Sequence, residues 1–248
     1  MEWRDRAYVL TTRKHGENAV ILNVLTETRG RASGLVRGGA GRRHRGQLQP
    51  GNLLEVTWRG RLEEHLGAFT CELVRSSGAV GAAGGDGLAV LAAAAGVVDT
   101  LLPEGEPHPE IFHGLAGLLT ALEDPGVVAA YVRWELGVLG ELGFGLDLSA
   151  CAATGATENL THVSPKSGRA VSAEAAAPYA GRMLVLPGFL LESGGPISPP
   201  DLLQGLRLTG YFLESHALSG ARNRLSARDR LMESLAKRQS TGKQTPIR

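Results

Sequence analysis

The chain has 248 residues, of which 43% are hydrophobic and 21% charged, with a formal net charge of +1; this balance excludes general disorder and allows two domains. Its longest apolar run, Leu88–Val98, is too short to span a bilayer, and charge fills Met1–Arg6 where a secretory signal needs an apolar stretch, so a cytoplasmic protein is expected. With only Cys71 and Cys151, a disulfide framework is excluded.

Charge is segregated along the chain. The net value is +5 over residues 1–75, −7 over 76–130, −3 over 131–203 and +6 over 204–248. Affinity for nucleic acid comes largely from Lys and Arg near phosphates, so the basic ends are candidate contact surfaces. Solvated faces without a partner are the alternative.

Up to about residue 75 the apolar pattern has period two, broken by short turns. Arg6–Arg13 and Asn18–Thr26 flank the turn Lys14-His15-Gly16-Glu17, and Arg31–Arg37 follows Thr28-Arg29-Gly30. Pro50-Gly51 opens a fourth strand, in which Leu54, Val56 and Trp58 alternate with polar residues. A fifth puts Phe69, Cys71 and Leu73 on one face. Five short strands suit a small closed barrel of the OB type. Tyr8 and Trp58 are possible base-stacking residues, although a strand aromatic is more often core.

Between the third and fourth strands lies the densest basic feature, Arg37-Gly38-Gly39-Ala40-Gly41-Arg42-Arg43-His44-Arg45-Gly46. Its glycines predict a mobile loop, and its arginines predict adhesion to phosphate. An empty flexible linker is the competing reading.

Beyond residue 85 the period becomes helical. Leu88, Leu91, Ala95, Val98 and Leu102 form one stripe, Ile111, Leu115, Leu118 and Leu122 a second, and Val128, Val132, Leu136, Leu139 and Leu142 a third. Ser198-Pro199-Pro200-Asp201 reads as a capped helix start, and Ser226-Ala227-Arg228-Asp229 as another. Residues 144–187 lack a helical stripe and read as a small irregular or β-hairpin insertion. The expected organisation is therefore an OB-fold DNA-binding domain at 1–80, a helical domain at 81–240 with its insertion at about 144–187, and a disordered tail at 241–248.

Catalytic signals are poor. No phosphate-binding glycine loop, dinucleotide fingerprint, metalloprotease helix or nucleophile elbow is present. Ser234-Leu235-Ala236-Lys237 matches S-x-x-K without its companion motifs and is read as chance. No enzyme activity and no cofactor are expected.

Several segments together resemble the RecO family of bacterial repair proteins. Trp3–Thr12, Gly16-Glu17, Thr26–Gly38 and Leu48-Gln49-Pro50 resemble its N-terminal barrel. Arg133-Trp134-Glu135-Leu136, Leu139–Gly145 and Cys151-Ala152-Ala153-Thr154-Gly155 resemble a helix and turn of its C-terminal part. The resemblance implies an OB-fold followed by a helical domain, and a recombination mediator that binds single- and double-stranded DNA. It further implies annealing of complementary strands coated with single-strand-binding protein, and assistance to RecA loading together with RecR. A non-catalytic adaptor with incidental DNA affinity is the alternative.

Arg29, Arg31, Arg37, Arg42, Arg43 and Arg45 form the expected DNA-binding set, with the C-terminal Arg222, Arg224, Arg228 and Arg230 next in line. The resemblance also implies that the helical domain receives the acidic, apolar C-terminal tail of single-strand-binding protein, whose free carboxylate needs a cation beside an apolar pocket. Arg133, with Leu136 beside it, is the expected carrier, because the other basic residues between 76 and 203 fall in the insertion. Some family members hold zinc with two C-x-x-C pairs. Here Cys151 keeps the first position while Thr154, Ser172 and Ala175 occupy the others, so no metal site is expected.

Overall fold

The computed structural model describes residues 1–62, 66–78, 84–217 and 225–242. They pack as two compact units. One holds Met1–Val127 with Leu225–Arg228; the other holds the described residues from Val128 to Arg224 and from Asp229 onward.

The first unit opens with β1 (Glu2–His15), β2 (Ala19–Thr26), β3 (Gly30–Val36), a short helix α1 (Arg42–Gln47), β4 (Leu53–Arg59) and β5 (Gly67–Arg75). The strands close into a barrel in the order β1-β2-β3-β5-β4, with β3 and β5 parallel. This is the expected five-stranded OB architecture. A register shift between Val9 and Thr11 bends β1, which pairs with β4 through Glu2–Tyr8 and with β2 through Ala7–His15. Alternation sends Val20, Leu22, Val24, Leu54, Val56, Trp58 and Phe69 inward to one core. Trp58 stacks on Trp3 with ring centroids 5.8 Å apart. Its indole lies so close to the backbone of Gly67 that a Cβ there would stand 2.2 Å from it.

Two local expectations are corrected. The basic segment is not a mobile loop. Ala40 N donates to Asn18 O at 3.3 Å and Gly41 N to Gly38 O at 3.0 Å, after which Arg42–Gln47 is helical. Leu48 is buried beneath the helix, and Asn52 Nδ2 donates to Gly46 O and Gln47 O, both at 2.9 Å. On β5, Phe69 faces the core, but Cys71 is only half-buried and Leu73 is 47% exposed. The reason is that β3 pairs with β5 only at Gly67 and Ala68, leaving the later residues uncovered on that side.

Helices α2 (Gly85–Leu101) and α3 (Pro109–Thr120) follow. Val90, Leu91, Ala94, Val97 and Val98 of α2 are buried, whereas Leu88, the first residue of the expected stripe, is exposed. Phe112 of α3 packs on Tyr8, centroids 5.0 Å apart. The connection between these helices lies along β3. Gly105 N donates to Arg31 O at 2.9 Å, and Gly30, at φ +68°, sits where a Cβ would be 1.7 Å from Glu106 O. The expected limit at residue 80 separates strands from helices, yet the packing limit falls at Val127, because α2 and α3 share the barrel's unit.

The second unit contains most of α4 (Val127–Glu141), a three-stranded sheet in the order β7-β6-β8, α5 (Ala173–Ala176) and α6 (Pro199–Phe212), which runs into a π-helical segment, Leu213–Ala217. It also holds most of α7 (Ser226–Gly242). The sheet strands are β6 (Leu160–Val163), β7 (Ala170–Ser172) and β8 (Leu184–Val185), so the insertion is a hairpin with one added strand. Its turn forms at Pro165–Gly168, with Gly168 N donating to Ser164 O at 2.9 Å. At the α6 start, Ser198 N donates to Asp201 Oδ2 at 2.9 Å. Residues 241 and 242 close α7 rather than belonging to a tail, and 243–248 lie outside the described residues.

Candidate nucleic-acid interface

Strand register brings one group of cations to one end of the barrel. Val20 of β2 is opposite Lys14 of β1 on one side and Val36 of β3 on the other. The last residues of β1, the β1–β2 turn, the end of β3 and α1 therefore share that end. Exposed Arg13, Lys14, Arg37, Arg42 and Arg45 are all located there. None of the five has an ion pair or side-chain hydrogen bond among the described residues. Arg43 lies in the α1 backbone, with its side chain outside the described residues.

Between the β1–β2 turn and α1 runs a groove of about 410 Å³. Val20, Leu48 and Pro50 give it apolar surface, while Lys14 and Arg45 bring cations and Thr12 and Gln49 neutral polar groups. An apolar surface flanked by cations suits the sugar and phosphate of a strand. Glu17 is the acid among the lining residues.

Opposite this end most of the cations are already engaged, although the exposed Arg61 has no ion pair among the described residues. Arg6 pairs with Glu27 at 2.7 Å, Arg59 with Glu2 at 2.9 Å, and Arg4 with Glu55. Two members of the expected set lie here, beside the β2–β3 turn. The Arg29 guanidinium lies over Trp3, 5.5 Å from the ring centroid. Arg31 donates to Leu102 O at 2.8 Å and pairs with Glu104 at 3.3 Å and Asp99 at 3.6 Å. Its side chain is 19% exposed, so Arg31 holds the α2–α3 connection to the barrel. The set thus divides: Arg37, Arg42 and Arg45 come together, and Arg29 and Arg31 do not join them. Arg13 and Lys14 are the cations that density of charge along the chain did not reveal. Their signal is position, on the exposed last turns of a strand that leads into the same hairpin.

Neither aromatic considered for stacking is open. Tyr8 is 3% and Trp58 2% exposed, with the Tyr8 hydroxyl accepting from Arg75 at 3.0 Å. Of the C-terminal arginines, Arg228 is buried and Arg230 exposed, while Arg222 and Arg224 lie outside the described residues.

On α4, Arg133 is exposed and Leu136, three residues on, is half-buried. Arg133 Nη2 donates to Phe189 O at 3.0 Å, and its guanidinium sits 5.3 Å from the Phe189 ring centroid. Phe189 itself is buried. This leaves the guanidinium oriented by a carbonyl and a ring rather than neutralised by a carboxylate, with further N–H groups to donate.

In the insertion, Ser172 N donates to Cys151 Sγ at 3.2 Å. Side-chain hydrogen bonds from Ser172 and then Thr154 hold the Cys151 thiol below its ordinary range. No group of three or more His, Cys, Asp or Glu poised to hold a metal is present among the described residues, and none of the described helices is long and apolar enough to cross a membrane.

Family models described as recombination protein O N terminal and C terminal match residues 1–77 and 84–225. The chain is similar to the DNA repair protein RecO of Rhodospirillum rubrum, 47% identical over 248 residues that cover 95% of this chain and 96% of that one. The DNA repair protein RecO of Methylobacterium nodulans is 50% identical over 224 residues, 87% of this chain and 90% of that one. For the DNA repair protein RecO of Caulobacter vibrioides the identity is 48% over 215 residues, covering 86% and 88%.

Proposed function

Because the chain belongs to the recombination protein O family, we propose that it is a DNA repair protein that works as a recombination mediator, binding DNA and annealing complementary strands without catalytic residues or a cofactor of its own. The observation that carries the DNA-binding reading is the set of five cations without partners, Arg13, Lys14, Arg37, Arg42 and Arg45, gathered at the groove end of the barrel. Elsewhere on the barrel most cations are paired with carboxylates, so this is where phosphates gain most.

With Tyr8 and Trp58 buried, the backbone rather than the bases is the expected contact. That suits an activity that must accept any sequence and either single or double strands. In this reading residues 1–80 carry the DNA and 81–240 the partner contacts, in the cytoplasm. Arg133 receives the terminal carboxylate of the single-strand-binding protein tail, and Leu136 borders the apolar part of that tail. RecR is the partner with which the protein assists RecA loading.

The test is annealing of complementary oligonucleotides coated with single-strand-binding protein. Acceleration that depends on the groove cations supports the mediator. DNA binding without acceleration would reduce the chain to an adaptor, and no binding would remove the groove from the function.

A further inference from the structure

Among the described residues that line the groove, Glu17 is the only acid. It is exposed in the β1–β2 turn, directly after Gly16, whose φ of +62° fixes the turn. Two cations, Lys14 and Arg45, line the same groove, and yet Glu17 forms no ion pair or side-chain hydrogen bond among the described residues. Its carboxylate thus neither neutralises a neighbour nor braces the turn. What it does is oppose any polyanion drawn in by the cations around it.

We propose that Glu17 sets the strength of DNA capture in this groove, its charge keeping a bound strand exchangeable by opposing the phosphodiester backbone. The inference rests on the groove being the DNA site. Two unit charges a few ångströms apart in water change an affinity by about fivefold. An annealing protein has use for such a loss, since two strands held too firmly cannot slide into register or leave as a duplex. Lys14 and Arg45 supply attraction that any strand satisfies, and Glu17 limits it.

The experiment compares full-length wild-type protein with Glu17→Gln, which keeps the shape and removes the charge, and with Glu17→Ala. Anisotropy of a labelled oligothymidylate gives Kd at about 50 mM and about 200 mM salt, and stopped flow gives the dissociation rate. Both variants are expected to bind about three to ten times more tightly at the lower salt, chiefly through slower dissociation, with the gain shrinking as salt rises. Annealing of complementary oligonucleotides should slow at saturating protein.

Unchanged or weaker oligothymidylate binding by both variants, with the wild type still salt-dependent, overturns the role of Glu17 and leaves the groove intact. A loss confined to oligonucleotides with guanine or cytosine also overturns it, because the carboxylate would then be reading exocyclic amino groups. Wild-type protein that shows no salt-dependent binding removes the groove itself, a separate failure.

Discussion

Replacing Arg37, Arg42 and Arg45 together with Ala tests the interface most directly. Each is exposed and without an ion pair among the described residues, so each is available to a phosphate, and each single-strand phosphate contact contributes about 0.7 to the slope of log affinity against log salt. Losing three contacts should lower that slope by about 2. Over a fourfold rise in salt, the wild-type affinity should then fall roughly 16-fold further than that of the variant. A control triple, Arg4, Arg6 and Arg59 to Ala, makes the same change in net charge at the other end, where each residue already has a carboxylate partner. Its slope should stay near that of the wild type. The assay is anisotropy of a labelled single strand titrated at several salt concentrations, with thermal melts showing that all three proteins fold. Equal loss of slope in both triples would mean that overall charge, not this site, governs binding; no loss in either would remove the basic end from the interface.

Arg31→Met should destabilise the first unit by about 1–3 kcal/mol, since it strands the Leu102 carbonyl and the partly exposed Asp99 carboxylate while the exposed Glu104 keeps its hydrogen bond from Ser33, and should leave the salt slope of DNA binding unchanged; urea denaturation and the same anisotropy titration check both halves. Arg133→Ala should weaken binding of a labelled single-strand-binding-protein tail peptide by about 1.5–3 kcal/mol, and equal affinities in a direct titration would take Arg133 out of that site. The purified protein is expected to contain no stoichiometric zinc, with thermal melting unmoved by a chelator; about one zinc per chain by metal analysis would refute the reading of Cys151, Thr154, Ser172 and Ala175.

The barrel was legible because β2 and β4 alternate and its turns carry glycine, signals that are local. What was missed depended on distant residues. Arg37–Gly46 has the composition of a linker, and α1 becomes a helix through tertiary anchors: Leu48 under it, Asn52 bonding its last carbonyls, and Asn18 accepting from Ala40. Arg31 resembles any exposed strand cation until Asp99 and Glu104, about seventy residues away, come to meet it. Arg13 and Lys14 went unnoticed because their neighbours in charge are neighbours across strands, and no count along the chain sees that adjacency. The helices beyond residue 85 followed their period closely, and Leu88 fails only because it stands at the open first turn of α2.

The contact between β3 and the α2–α3 connection bears on how such a protein can change over generations. Gene segments that encode a self-sufficient barrel can be cut out and joined to new neighbours. This barrel lacks that freedom, because Gly30 is shaped to the backbone of Glu106, Arg31 is claimed by Leu102, Asp99 and Glu104, and Tyr8 packs on Phe112. A copy ending where the N-terminal family match ends, at residue 77, would expose all three attachments at once. A barrel passed on without the two helices behind it would carry these attachments unsatisfied.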